Sequence, residues 1–345
     1  MKKAFVTGAS GFIGSAVVRE LIADGVEVRV LMRRGADHRT IEGLDVEVIE
    51  GDLLDVSALA KGLVGADACF HVAGMNQLWL RGRGDIKRIY DANDRGAGLV
   101  LRTAAEAGCE AIVHTSTVAV IARPNEDRHS HEEDFALEHE LAVHYARSKF
   151  LGEARAKKMA EEGAPVVIVN PSAPMGPWDV KPTPTGRVVL DFLRRKMPGY
   201  METGLNVIDV QDCARGHILA GQRGKPGERY ILGHENLPVL KIFQLLSELS
   251  GIPAPRFKVP KAVGLLTGFL SELKSRATGH PPAVPLAGVR MAMKPMFYDN
   301  KKAVRDLGLP TRPVKETLRR AAAWFIEHDY VEAPPNDLGK WNDTR

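Results

Sequence analysis

Along the first 170 residues, apolar positions follow two different periods. Short consecutive apolar or β-branched runs occupy Lys3–Thr7, Val26–Met32, Val46–Glu50, Ala68–Val72, Ala111–Thr115 and Pro165–Asn170, and each predicts a strand. Between them the apolar residues recur at helical spacing. Val17, Val18, Leu21 and Ile22 mark a helix over Ser15–Asp24 that ends at Gly25, and Ser57–Leu63, Ala92–Ala107 and Tyr145–Glu162 read the same way. Strands alternating with helices predict an α/β fold, a doubly wound parallel sheet with helices on both faces. Such a sheet takes its ligands beyond the C-terminal ends of its strands.

Past about residue 175 the rhythm changes. Pro171 to Pro184 holds five prolines, too many for regular structure, and predicts a shaped loop. Lys241–Ser250, Pro260–Ala277 and Pro313–His328 predict helices separated by Pro/Gly-rich joints. The division that follows is a nucleotide-binding domain over 1–175, a smaller and mainly substrate-binding lobe over 176–335 that returns in part to the sheet, and a tail over 336–345. The polar stretch Glu332–Arg345 is expected to be ordered only if it docks.

Composition narrows the function classes. The chain has 345 residues, 44% hydrophobic and 26% charged, a mix that builds a sizeable core. A net charge of +4, with the signs interspersed, argues against a nucleic-acid partner. Cys69, Cys109 and Cys213 are odd in number and widely spaced, which excludes a disulfide framework and a CxxC metal knuckle and points to a reducing compartment. No stretch approaches 18 consecutive apolar residues, and the apolar run after Met1-Lys2-Lys3 is cut at once by Thr7-Gly8. A cytoplasmic protein is expected.

Gly8-Ala9-Ser10-Gly11-Phe12-Ile13-Gly14 is a GxxGxxG loop between the first strand and the first helix. Its glycines allow a tight turn and close approach to a pyrophosphate, whose charge then sits at the helix N-terminus. At the end of the second strand a carboxylate would accept from a ribose 2′-hydroxyl, whereas arginine suits a 2′-phosphate. Here stand Arg33 and Arg34, with no carboxylate before Asp37. NADP(H) is preferred and NAD(H) is possible; two solvent-facing arginines on a turn is the plain alternative. Asp52 and Leu53 follow the third strand and are placed to meet the adenine edge, although Asp52 could instead cap the next helix. Val72-Ala73-Gly74 ends the fourth strand with small residues, as a cofactor passing close over the backbone requires.

Tyr145-Ala146-Arg147-Ser148-Lys149 sets a phenol and an ammonium on one helix face. A phenol titrates near pH 10 and is a poor acid–base group at neutral pH unless nearby positive charge favours the phenolate. Lys149, with the charge of an oxidised nicotinamide, is expected to supply that, and the same ammonium suits ribose hydroxyls. His114-Thr115-Ser116-Thr117 ends a strand with hydroxyls for the substrate oxygen.

The strings TGASGFIG, GDLLD, HVAG, HTST, YARSK and VNPSAPMGP, in this order, resemble the extended short-chain dehydrogenase/reductases of the NAD-dependent epimerase/dehydratase family. The resemblance runs from residue 4 to about 330 and ends in Asp299-Asn300-Lys301-Lys302-Ala303 and Leu307-Gly308. The longer strings EGLDVEVIEGDL, NPSAPMGPWDVKPTPTG, METGLNVIDVQD and GERYILG are most similar to hopanoid-associated sugar epimerases, kin of dihydroflavonol-4-reductases. The resemblance implies a Rossmann-type fold and hydride exchange between the nicotinamide and a substrate carbonyl or carbinol. It makes Thr117 the catalytic hydroxyl with Ser116 in reserve, Tyr145 the proton donor and Lys149 its helper. It also assigns Asn93 a place beside the cofactor and sets Asn170, Pro171 and Ser172 along the nicotinamide, and it implies a homodimer through the helices near 92–107 and 145–162. Two positions depart from the family pattern: Ala97 stands where threonine is usual, and Arg33 where many epimerases keep an aspartate. The substrate is a small molecule, either a sugar or a bulky apolar ketone of sterol or terpenoid type; a cofactor sensor without turnover is a minor alternative.

Other segments read more plainly. His129-Ser130-His131-Glu132-Glu133 is expected to be an exposed charged loop rather than a metal site, and no metal is expected. Trp79, Arg81 and Arg83 lie beside the substrate cleft, to touch substrate or to pack. His144 is expected on the surface, and Asp209 and Asp212 at a structural joint. Val263–Leu270 is unusually apolar: it either packs in the second lobe, covers a greasy substrate or touches a membrane surface.

Overall fold

Consecutive apolar runs become strands of one sheet because both of its faces are covered by helices. The computed structural model describes residues 1–123, 128–141 and 143–341. In chain order its first part holds β1 (Lys3–Thr7), α1 (Phe12–Ala23), β2 (Glu27–Met32), β3 (Glu47–Glu50), α2 (Val56–Leu63) and β4 (Ala68–His71). There follow α3 (Arg83–Tyr90), α4 (Ala97–Glu106), β5 (Ala111–Thr115), α5 (His144–Glu161) and β6 (Val166–Pro171). The second part holds β7 (Ala173–Met175), α6 (Pro184–Leu193), β8 (Gly199–Tyr200), β9 (Gly204–Asp209), α7 (Val210–Arg223), β10 (Arg229–Leu232) and β11 (Glu235–Pro238). It closes with α8 (Val239–Ser250), β12 (Phe257–Lys258), α9 (Lys261–Thr278), α10 (Leu286–Met291), α11 (Lys301–Leu307) and α12 (Val314–Glu327).

The central sheet is parallel throughout, in the order β10-β6-β5-β4-β1-β2-β3. The strand order reverses between β1 and β4, and the crevice there is the ligand end of a doubly wound sheet. On one face α1, α7 and α11 pack around Val17, Val18, Ile218 and Leu307; on the other α2, α4 and α5 pack around Phe5, Leu59, Leu101 and Ala156. Both α7 and β10 come from beyond residue 175, so the chain does return to the first sheet. The second lobe is built on the small sheet β11-β9-β7, covered by α6, α8 and α12 with Phe192, Phe243, Trp324 and Phe325 buried between them.

The structure departs from the sequence expectations at three points. The helix expected over Ala92–Ala107 begins at Arg83 and passes through a π-helical stretch, Asp91–Gly96, before α4. The proline-rich stretch carries β7, because an extended chain can pair with β9 without helix-forming residues. Asp55, not Asp52, caps α2: its carboxylate accepts from the Ala58 amide at 3.0 Å. The tail docks, with Leu338 buried and Trp341 edge-on to Trp178 at 5.3 Å; its residues 342–345 lie outside the described residues. Asp209 caps α7 and, fully buried, pairs with Arg312 and Arg320 to join the lobes.

Candidate active site

The crevice between β1 and β4 opens into a cavity of about 730 Å³. Its floor is the glycine loop. Gly8 has a φ of +86°, and a Cβ there would lie 2.6 Å from the Ala73 amide nitrogen; a Cβ on Gly14 would lie 2.1 Å from the Gly8 carbonyl oxygen. No side chain fits at either position, so α1 meets the strand end closely enough to present its N-terminal amides to the cavity. Gly8, Ser10, Gly11, Phe12, Ile13, Gly14, Arg33, Asp52, Leu53, Val72, Ala73, Gly74 and Ser172 all line it. Its length along the strand ends, the phosphate cradle at its centre, and the unpartnered buried hydroxyl of Ser172 fit a nicotinamide dinucleotide.

Arg34 does not join them. Its side chain is 91% exposed, with Nε 4.0 Å from a Glu50 carboxylate oxygen, outside the cavity. The nearest carboxylate beyond the arginines is also committed elsewhere. Asp37 is bonded by Arg39 and lies 3.4 Å from the Lys181 ammonium, and chiefly the Arg39 bond holds its carboxyl well below the usual range. Trp178, Asp179, Val180, Lys181 and Thr183, all in the proline-rich stretch, also line the cavity. Arg19 stacks its guanidinium over the Trp178 ring at 3.7 Å and donates to the Thr40 carbonyl, tying this wall to the loop after β2. Asp179 accepts from the Thr183 amide and hydroxyl, and burial raises it to about 6.

Behind Gly74, outside the cavity lining, stand Lys149 and Asn93. A Cβ on Gly74 would lie 2.8 Å from Lys149 Nζ and 3.1 Å from Asn93 Oδ1. Lys149 is buried and donates to the Thr115 carbonyl at 2.8 Å; burial lowers it to about 8, against the pull of Glu153. Thr117 accepts from the Ala119 amide at 3.2 Å, which fixes its hydroxyl at the mouth of β5. Tyr145 opens α5 beside it. Burial raises the phenol above its ordinary value, and the Thr117 hydroxyl opposes that rise. The sequence reading expected Lys149 to lower this phenol. In the structure the ammonium is bonded to the Thr115 carbonyl, and the Thr117 hydroxyl opposes the rise that burial causes.

Asn93 sits in the π-helical stretch, buried. Its amide nitrogen donates to Ser148 Oγ at 2.9 Å and to the Met75 carbonyl, and its Oδ1 accepts from the Met75 amide at 2.7 Å. It thereby holds both α5 and the segment after Gly74. Asn170 donates to the Thr117 carbonyl at 3.1 Å and to Glu153 at 2.9 Å, and Glu153 pairs with buried Arg229 at 3.0 Å. Pro171 ends β6 beside it. Ser116 Oγ and Asn170 Oδ1 are buried without a protein partner. The Glu153–Arg229 pair went unnoticed in the sequence. Its signal was there: Lys149 and Glu153 are four apart and fall on the inward face of α5 with Ala156.

The lesser segments also have definite places in the structure. The loop 129–133 is not simply exposed, since Glu132 is buried and accepts from the Ile231 amide at 2.9 Å while its carbonyl accepts from Arg229. No cluster able to hold a metal occurs among the described residues. Arg81 stands over the Trp79 ring at 5.2 Å, and neither they nor Arg83 line the cavity. His144 is exposed, 3.3 Å from the Tyr90 hydroxyl. Ala97 is buried, and its methyl faces Gly152 where a larger residue would crowd α5.

The profile of the NAD dependent epimerase/dehydratase family matches residues 4–233. A protein of Synechocystis sp. named "Putative dihydroflavonol 4-reductase" is 42% identical over 95% of this chain and 96% of its own. Sterol demethylase protein B of Methylococcus capsulatus is 30% identical over 94% of this chain and 99% of its own. Among solved structures, that of gox2253 superposes with a TM-score of 0.84 at 37% identity, covering 96% of this chain and 100% of that one.

Proposed function

From the chain's membership of the NAD-dependent epimerase/dehydratase family, a group of oxidoreductases and epimerases, we propose that it reduces or oxidises one carbonyl–carbinol pair of a bulky apolar substrate with NADP(H). The observation that carries the reaction is the meeting of the Tyr145 phenol with the Thr117 hydroxyl past the end of β5, where buried Lys149, set behind Gly74 of the cavity lining, bonds the Thr115 carbonyl. A bound nicotinamide supplies or accepts the hydride. Tyr145 holds the proton that the substrate oxygen gains or loses. Thr117, fixed by the Ala119 amide, orients that oxygen and favours the phenolate when the proton leaves. Lys149, held by the Thr115 carbonyl, keeps positive charge near the ribose. Arg33 in the cavity wall and the engagement of Asp37 by Arg39 and Lys181 support NADP(H) over NAD(H).

The apolar substrate draws support from the apolar cluster of Ala136, Leu141, Val143 and Ala146, against which Tyr145 packs, as do Phe150 and Met291. Relatives named for a reductase and a sterol demethylase point the same way. The sugar-epimerase reading rests on the longer sequence strings. The two differ in cofactor economy: a net reductase consumes NADPH, whereas an epimerase returns its cofactor unchanged. Near-ultraviolet absorbance of NADPH, followed with a sterol ketone and with a nucleotide sugar, separates them. Steady consumption with the ketone is expected, falling roughly 10²- to 10⁴-fold in Tyr145→Phe with cofactor binding kept. No consumption with ketones, alongside epimerised sugar product, overturns the substrate reading; an undiminished rate in Tyr145→Phe overturns the role of the tyrosine.

A further inference from the structure

The helix α9 is built inside out. Its inward side carries Gly264, Gly268 and Ser275, all buried, with Gly264 against Met201 and Gly268 against Leu286 and Val289. Ser271 and Glu272 complete that side by accepting the Val284 and Leu286 amides, each at 3.1 Å. Its apolar residues point away from the protein: Val263, Leu266, Phe269, Leu270 and Leu273 are 48%, 57%, 56%, 52% and 55% exposed. At 100° per residue these five span an arc of about 120°. A surface helix ordinarily turns such a stripe to the core, and an exposed apolar face rimmed by polar residues marks a contact surface.

Charge indicates what covers it. Arg256 and Lys261 precede the stripe and Lys274 and Arg276 follow it, with Lys258 paired to Glu202, while the one acidic residue over 256–278, Glu272, is turned inward. Phe257, 76% exposed, extends the apolar face at its start. A second copy seated on this face in either direction would bring cations against cations. An anionic lipid surface complements them, with the apolar arc sunk to the acyl boundary and the lysines and arginines among the headgroups.

We infer that α9 docks this protein peripherally on anionic lipid bilayers, through Val263, Leu266, Phe269, Leu270 and Leu273. No helix among the described residues is long and apolar enough to cross a membrane, so the contact lies in the interface plane. α9 packs on α10, whose Ala287 and Met291 rest on the same apolar cluster as Tyr145. Docking stands without the apolar-substrate reading; only entry of substrate from the bilayer would rest on it.

The test is co-sedimentation of the full chain with vesicles of phosphatidylcholine alone and with added phosphatidylserine. Wild type is expected to pellet with the anionic vesicles and to be released by salt. Leu266→Ser with Phe269→Ser replaces residues that are already exposed. It should keep the unfolding midpoint and NADP(H) affinity while weakening vesicle binding by about tenfold or more. Lys274→Glu with Arg276→Glu should remove the preference for phosphatidylserine. Wild type left in the supernatant, or an apolar-face variant that binds as well as wild type, overturns the proposal. So does a dimer in solution that the apolar-face variant converts to monomer without any vesicle binding. Equal binding to both vesicle types overturns the anionic part.

Discussion

Arg33 and Arg34 are adjacent in sequence and part company in the fold: the first lines the cavity, and the second is 91% exposed beside Glu50. The cofactor preference therefore rests on one guanidinium. A charge-assisted bond contributes about 1.5–3 kcal/mol, or roughly ten- to a hundredfold in affinity. Arg33 is itself exposed, so screening by solvent sets the expectation at the lower end, about tenfold for NADPH over NADH. Arg33→Ala should erase most of that ratio and leave NADH binding nearly unchanged, whereas Arg34→Ala should alter neither. Fluorescence titration of both cofactors against the three proteins decides it, and equal wild-type affinities would mean that neither arginine meets a 2′-phosphate.

At the scale of elements, the site depends on how closely α5 approaches the π-helical stretch before α4. A Cβ at Gly152 would lie 2.1 Å from the Asn93 carbonyl oxygen, which is backbone and cannot step aside. Gly152→Ala should therefore push the π-helical stretch away from α5 and loosen Asn93 from Ser148 and Met75. Overpacking of this kind costs about 1–3 kcal/mol. Both the urea midpoint and the NADP(H) affinity should fall, and an unchanged pair of values would show that the helices separate freely. The π-helical stretch was not legible in the sequence, because Asp91–Gly96 reads as ordinary helix and its close approach to Gly152 is a tertiary contact.

In the molecule as a whole, three histidines are buried near the C-terminal ends of β4 and β5. His71 and His114 stack at 5.5 Å, His71 lies 2.8 Å from Thr7 Oγ1, and His217 Nε2 lies 3.1 Å from Thr115 Oγ1. Burial pushes His71 down to about 3, His217 to about 4, and His114 well below its usual value. The unfolded chain takes up these protons near pH 6.5 and the folded protein does not, so folding is favoured above 6.5 and stability is lost as pH falls towards 4. Each histidine steepens that loss by up to about 1.4 kcal/mol per pH unit. Urea unfolding of wild type and His217→Gln between pH 7 and 4 should give a shallower pH dependence in the variant. Parallel curves would show that His217 titrates in the folded protein.

The sequence by itself determined the alternating strands and helices, the phosphate cradle and the Tyr145–Lys149 pair. Each of these is local, set by apolar period, by glycines in one loop or by spacing along one helix. It also marked 263–270 as too apolar for its place. Tertiary structure decided the rest. Whether Arg33 or Arg34 faces the cavity depends on the chain's exit from β2, and the cavity wall over 178–183 depends on Arg19 and Trp178, which are distant in sequence. Burial raises the phenol of Tyr145 and Thr117 on another element opposes that rise, and neither follows from the Tyr145–Lys149 spacing. The apolar stripe of α9 faces outward because glycines and serines, not leucines, fit against α10. Periodicity gives the stripe but not its direction, since a helix buries whichever face fits its neighbour.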